Sequence, residues 1–425
     1  MNHTEKRDGT LGPGTIRRVL RPFEEFVHAE ASGGIVLLVA AVVAIGWANS
    51  PLSDSYHHAW ERTFGLGWQP YVLTLSLHEW INDALMAVFF FLVGLEIKRE
   101  ILAGELASVR RAALPIMGAL GGMIVPALLF VLVTRGTPAV AGWGIPMATD
   151  IAFALGVATL LGPRVPAGLK IFLAALAIVD DIGAVLVIAL FYTAQINVAA
   201  LGIAGGLLVV LMLFNSLNVQ RAWPYIVIGI ALWLAVLNSG LHATIAGVLL
   251  AFTIPATNGK SKKVAAANEN EFSEKNDALL QKFEHALHGV VAFGIMPVFA
   301  LANAGVSVGN DFAMLVQQPA MFAVVAGLLI GKPLGIAGFA WASVRMNFAQ
   351  LPTNSSWRQL FGVAALGGIG FTMSLFIAAL AYGERIELAE AKIGVLLGSL
   401  AAGIVGWVVL RSGGSRVSAE STTRF

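Results

Sequence analysis

Long apolar stretches broken by Gly, Pro and charged residues recur along the whole chain. Each approaches the roughly 20 apolar residues that a helix needs to cross a bilayer core of about 30 Å. The pattern predicts twelve membrane spans, at roughly 33–49, 77–98, 113–134, 140–162, 169–193, 199–217, 223–237, 241–254, 286–303, 320–342, 359–382 and 389–411, several of them short for a full crossing. The predicted fold class is therefore an all-α polytopic membrane protein. Ahead of the first span, Val19, Leu20, Phe23, Phe26 and Val27 fall at helical spacing between Arg17 and Glu30, which suggests an amphipathic helix lying on the membrane surface. The expected organisation is an N-terminal segment at 1–32, a transmembrane unit at 33–411 and a tail at 412–425. The polar run from Pro255 to Phe283, rich in Lys, Asn and Glu, reads as a flexible linker between two helix bundles. The loop from Ser50 to Thr74 carries aromatics and turn residues that suit a small hairpin.

Composition agrees with that picture. With 57% hydrophobic and 12% charged residues over 425 positions, and a mean hydropathy of +0.78, the chain has too little polar surface to coat a soluble globule. A net charge of +2 gives no reason to expect a nucleic-acid partner. The absence of cysteine excludes disulfides, thiolate metal sites, iron–sulfur clusters and a cysteine nucleophile. The first 26 residues lack the apolar core and small-residue cleavage site of a signal peptide, so the N-terminus is expected to be retained. When successive loops are assigned to alternate sides, 22 of the 27 Lys and Arg residues collect on one side. Four (Arg62, Arg135, Arg385 and Lys392) fall on the other, and Lys332 stays inside a span. By the positive-inside rule the first side is cytoplasmic, and it holds both termini.

Ionisable residues at membrane depth are costly and usually face a cavity or a partner. Few occur here. Asp180 and Asp181 sit in the middle of the fifth span, Asp150 lies in the middle of the fourth, and Lys332 stands in the tenth beside Pro333. Taken singly, such an Asp often does no more than hydrogen-bond a neighbouring helix, and such a Lys often snorkels to an interface. Three central acids and one base together are harder to assign to packing alone. Adjacent residues on a helix point about 100° apart, so Asp180 and Asp181 do not face one partner. One is expected to pair with Lys332 while the other lines an aqueous cavity. The fourth span reads WGIPMATDIAFALG and the eleventh AALGGIGFTMSLFIAAL, each interrupted at its centre. Non-helical backbone at that depth is tolerated only where it is buried in protein or lines water. The interruptions expose half-helix ends, for which Asp150 suits the positive and Lys332 the negative. They fall in the second helix of two triples, at about 113–193 and 320–411, whose inverted topology is the arrangement of several secondary transporters.

From HEWINDALMAVFFFLVGLEIKRE through ATDIAFALG, ALAIVDDIGA, SGLHATIAGV, FALANAGV and GKPLGI to GGIGFTMS, nearly the whole chain resembles the NhaA-type sodium/proton antiporter family. The resemblance implies a twelve-helix inner-membrane antiporter, dimeric, with two broken helices crossed at its centre. It implies that Asp181 is the main cation and proton ligand, that Asp180 pairs with Lys332, and that Thr149 and Asp150 lie beside them. Gly368, Gly370 and Thr372 then belong to the second broken helix. Glu96, Arg99, Glu100, Glu284 and His288 match positions linked to pH regulation in a cytoplasmic funnel. Gln281 departs from the pattern, because a basic residue is expected there in many relatives, and this bears on the pH profile.

The physics of the residues points the same way. A carboxylate buried away from water holds its proton to higher pH, so protons and a hard cation compete for the same oxygens. The expected function is exchange of cytoplasmic Na+ or Li+ for external H+, electrogenic and pH-regulated, with no cofactor and with Na+, H+, the bilayer and a second copy of the chain as partners. His285 and His288 with Glu284 lie on one helix face and titrate in a range suited to a pH switch, although clusters of this kind are commonly solvated helix ends. His242 suits a helix start, and His57 and His58 suit exposure. An intramembrane aspartyl protease needs two acids sharing a proton, which Lys332 would suppress. A passive cation channel is marked by a symmetric ring of like groups, not by a site assembled within one chain. No nucleotide-binding loop supports an ATP-driven pump.

Overall fold

The computed structural model describes residues 32–68, 71–193, 196–256, 278–307 and 317–412. The surface helix expected at 17–30, most of the 255–283 linker and the tail beyond 412 lie outside the described residues. Apart from one hairpin the described chain is helical, in the order α1 (Ser32–Ala48), α2 (Ser53–Glu61), β1 (Thr63–Trp68), β2 (Tyr71–Ser76), α3 (Leu77–Ala103), α4 (Val109–Thr134), a short tight-helical segment (Pro138–Met147), α5 (Ile151–Leu160), α6 (Ala167–Phe191), α7 (Val198–Ser216), α8 (Ala222–Leu237), α9 (Ile245–Thr253), α10 (Leu279–Asn303), α11 (Pro319–Arg345), α12 (Trp357–Leu366), α13 (Phe371–Tyr382) and α14 (Glu387–Ser412). Among these, α3, α4, α6, α7, α10, α11 and α14 are long and apolar enough to cross a membrane. The tally rises to ten if each of three bent pairs is one span. Twelve is not reached on length alone, because α8 has 16 residues and α9 nine, about 24 and 14 Å of helix. The ninth span, expected to begin at 286, begins at Leu279, where Gln281 Oε1 accepts the Ala278 N–H and supplies the helix with a cap.

Two of the bent pairs are the fourth and eleventh spans. Pro138–Met147 meets α5 at 45°, and α12 meets α13 at 47°. The breaks are Ala148–Asp150, just after Pro146, in one and the glycine-rich Gly367–Gly370 in the other. The third bent pair is α1 with α2, at 114°, and the polar sequence of α2, SDSYHHAWE, marks it as a surface turn outside the apolar layer. After it, β1 and β2 pair antiparallel from Thr63↔Ser76 to Trp68↔Tyr71, the small hairpin suggested by the sequence of this loop.

One large apolar core joins α1, α3–α6 and α10–α14. A second holds α7, α8 and α9 against Phe91 and Leu95 of α3 and the start of α10. α4 packs on α11 at backbone distance, because a Cβ on Gly121 would strike the Gly335 carbonyl and one on Gly335 the Gly121 carbonyl. The outward faces carry Leu38, Val39 and Val42 of α1 and Ile203, Val209 and Met212 of α7, all exposed. With only 11% of its most apolar stretch buried, α7 is built to face lipid. Three helices contain a wide, π-type turn: Trp80–Leu85 in α3, Val291–Ile295 in α10 and Gly327–Gly331 in α11. Such turns are frequent at functional sites, and the last immediately precedes Lys332.

Candidate functional site

The two breaks cross in contact. The Asp150 N–H donates to the Ile369 carbonyl at 2.7 Å, which ties the first break to the second through the backbone. Asp150 is also the N-cap of α5, where its Oδ1 accepts from the Phe153 N–H at 3.2 Å. Its Oδ2 accepts from the Thr372 N–H at 3.1 Å and from the Thr372 hydroxyl. One carboxylate therefore caps the N-termini of both α5 and α13, where unpaired N–H groups and the helix dipoles favour negative charge.

The opposite kind of helix end meets the base. Lys332, fully buried on α11, donates to the Met147 carbonyl at the end of the first half of the first broken span, and its Nζ lies 2.8 Å from Asp180 Oδ2. The Thr149 hydroxyl sits 2.7 Å from that same Oδ2 and 2.9 Å from the Gly367 carbonyl oxygen. It has one proton for two acceptors, so the state of Asp180 decides which one receives it.

Asp181 is turned away from this pair. It lines a cavity of about 50 Å³ together with Glu96, Thr149, Asp150, His288 and Thr372. That volume admits water, which needs about 10–15 Å³. Its Oδ1 has no hydrogen-bonding protein partner, and neither has Asp180 Oδ1. The adjacent aspartates divide as their angular separation requires: one is held by a cation and a hydroxyl, the other lines a cavity with one oxygen unmatched by protein.

Glu96 and His288 reach this cavity from α3 and α10. Arg99, Glu100 and Glu284 do not line it. They form a neighbouring ion-pair cluster, with Arg99 bonded to Glu284 and 3.4 Å from Glu100. Gly368 and Gly370 let the second break pack tightly: a Cβ on the former would strike the Leu328 carbonyl and one on the latter the Ser374 hydroxyl. Several contributors carry no charge to advertise them. Ser399 Oγ accepts from the Gly370 and Phe371 N–H groups, and Ser374 donates to the Ile145 carbonyl at 2.7 Å. Tyr192 and Tyr382 donate to the Ala141 and Ala139 carbonyls at 3.0 and 2.6 Å. A hydroxyl in an apolar helix is so common a packing device that sequence gave no signal for these four.

Broken helices crossed at a buried cluster of carboxylates and a lysine, inside a bundle with a lipid-facing exterior, define a membrane transport protein of the broken-helix type. Comparison with known proteins makes the assignment specific. The profile of the Na+/H+ antiporter 1 family matches residues 24–410, and the chain belongs to that family. It is 50% identical to the Na(+)/H(+) antiporter NhaA of Rhizobium etli, over 94% of this chain and 97% of that one. It is 46% identical to the Na(+)/H(+) antiporter NhaA of Oleidesulfovibrio alaskensis, over 94% and 95%. Among solved structures, the sodium proton antiporter MjNhaP1 of Methanocaldococcus jannaschii shares the fold, with a TM-score of 0.51 at 13% identity over 93% of this chain and 98% of that one.

Proposed function

We propose that the protein is a secondary antiporter that exchanges cytoplasmic Na+, or Li+, for external H+ across a bacterial inner membrane, with Asp181 as the group that carries both. The observation that carries this reading is Asp181, one oxygen unmatched by protein, lining a small cavity beside the Asp180–Lys332 pair, where two broken helices cross. Membership of the family supports it.

In this reading a sodium ion entering the cavity meets oxygens from Asp181, Asp150, Thr149 and Thr372, a hard-donor set suited to a hard cation. Occupancy by the cation and by protons is mutually exclusive, and that competition couples the two flows. Capping by Asp150 and Lys332 holds the half-helix ends without water. Release of one proton from Asp181 and another from Asp180 or Lys332 for each cation would make exchange electrogenic. Glu96 and His288 on the cavity wall, and the Arg99–Glu100–Glu284 cluster beside it, supply the pH response. The two triples, about 113–193 and 320–411, act as inverted repeats within a twelve-span unit, both termini are cytoplasmic, and the working form is a homodimer. A channel is disfavoured because the site is assembled asymmetrically within one chain.

The test uses purified protein in proteoliposomes with an imposed pH gradient. Addition of Na+ or Li+ is expected to dissipate the gradient while K+ leaves it intact, at a rate that changes with imposed membrane potential. Equal rates at all potentials would overturn the electrogenic stoichiometry, and failure to respond to Na+ would overturn the antiporter reading.

A further inference from the structure

The N-terminus of α13 lies at the crossing, and its first N–H groups are divided between two side chains. Gly370 and Phe371 donate to Ser399 Oγ at 3.2 and 3.1 Å, while Thr372 donates to Asp150 Oδ2 at 3.1 Å. Ser399 comes from α14 and is buried. The N-cap position of α13 is Gly370, which has no side chain to do this work. Gly370 and Phe371 do not line the cavity, so their N–H groups must be met by protein. Asp150 already accepts from the Thr372 N–H at this positive end, and it also caps α5 and lines the cavity next to Asp181.

Both triples bring a polar residue of their third helix to the crossing. In the first triple the half-helix cap, Asp150, is followed 30 positions later by Asp180 on the third helix. In the second, the cap Gly370 is followed 29 positions later by Ser399, also on the third helix. In the first triple the cap and the third-helix residue are both ionisable, and in the second both are neutral.

We propose that Ser399 is a positioning residue of the exchange site. By capping α13 it fixes where that N-terminus sits, and it leaves the charge of Asp150 directed to the cation cavity. This rests on the antiporter reading above. With Ser399 replaced by alanine, Asp150 is drawn towards the bare α13 N–H groups and two positive partial charges remain beside the cavity, so the cation is held less tightly.

The experiment measures Na+-driven exchange in proteoliposomes as a function of Na+ concentration for the intact protein, Ser399→Ala, Ser399→Cys and Ser399→Thr. Ser399→Ala is expected to raise the apparent KM for Na+ about fivefold, the factor carried by one ordinary hydrogen bond, with the maximal rate per folded molecule little changed. Ser399→Thr keeps the hydroxyl and is expected to restore the KM, and Ser399→Cys, a weaker acceptor, to fall between. An unchanged KM in the Ala variant, or a raised KM that Thr does not restore, overturns the proposal. If Ser399→Ala yields no folded protein, an unchanged KM in Ser399→Cys overturns it equally. Absence of Na+-driven exchange in the intact protein would instead overturn the antiporter reading on which it rests.

Discussion

Truncating Lys332 would strand Asp180, because both side chains have no exposed surface and the lysine nitrogen is 2.8 Å from the carboxylate. Removing one partner of a buried pair typically costs about 3–5 kcal/mol, more than the pair contributes over neutral residues. Lys332→Ala is therefore expected to lower the melting temperature in detergent sharply, and the double variant with Asp180→Asn to recover much of the loss. A double variant no more stable than Lys332→Ala would contradict the pairing as the source. Thr149→Val removes the hydroxyl between Asp180 and the Gly367 carbonyl, and its apparent KM for Na+ is expected to rise about fivefold. At this scale the charged part of the site was legible in sequence, because an Asp or Lys inside a long apolar run has few bland explanations. Which aspartate pairs with Lys332 was not legible from spacing, since a 100° separation says only that the two differ. The neutral part, Ser399, Ser374, Tyr192 and Tyr382, was invisible, because a hydroxyl in an apolar helix does not disclose whether it bonds its own turn or another helix.

The first half of the first broken span, Pro138–Met147, is short and tightly wound, and its carbonyls are met by Tyr382 and Ser374 of α13, Tyr192 at the end of α6 and Lys332 of α11. Tyr382→Phe leaves the Ala139 carbonyl without that donor, and a loss of about 1 kcal/mol is expected in thermal unfolding. An unaltered unfolding temperature would mean that the tether is not felt. The α4–α11 contact is less forgiving: Gly121→Val places a side chain against the Gly335 backbone, and loss of folded protein on size-exclusion chromatography is expected. Breaks at 148–150 and 367–370 were readable from Gly, Pro and hydroxyl residues at span centres. The wide turns in α3, α10 and α11 were not, because glycine and β-branched residues such as those of WINDAL, VAFGI and GLLIG are also common in continuous membrane helices, so composition does not mark where an extra residue enters the turn. The early start of α10 was missed for a related reason. Its first turns, LLQKFEH, are amphipathic and fall below any apolar threshold.

For the molecule as a whole, the segregation of 22 Lys and Arg residues from four is the strongest pointer to orientation. The lack of native cysteine makes it directly testable. Asp54→Cys, in α2, is expected to react with a membrane-impermeant maleimide in intact cells, and Gln350→Cys, between α11 and α12, only after permeabilisation. The reverse pattern would invert the protein in the membrane and with it the assigned direction of exchange. The central claim, that Asp181 carries both sodium and protons, is tested most directly by sodium-induced dissipation of a pH gradient in proteoliposomes with Asp181→Asn beside the intact protein, from mildly acidic to mildly alkaline pH. The account predicts that the variant folds and loses exchange at every pH. Exchange by folded Asp181→Asn at the rate of the intact protein would contradict it.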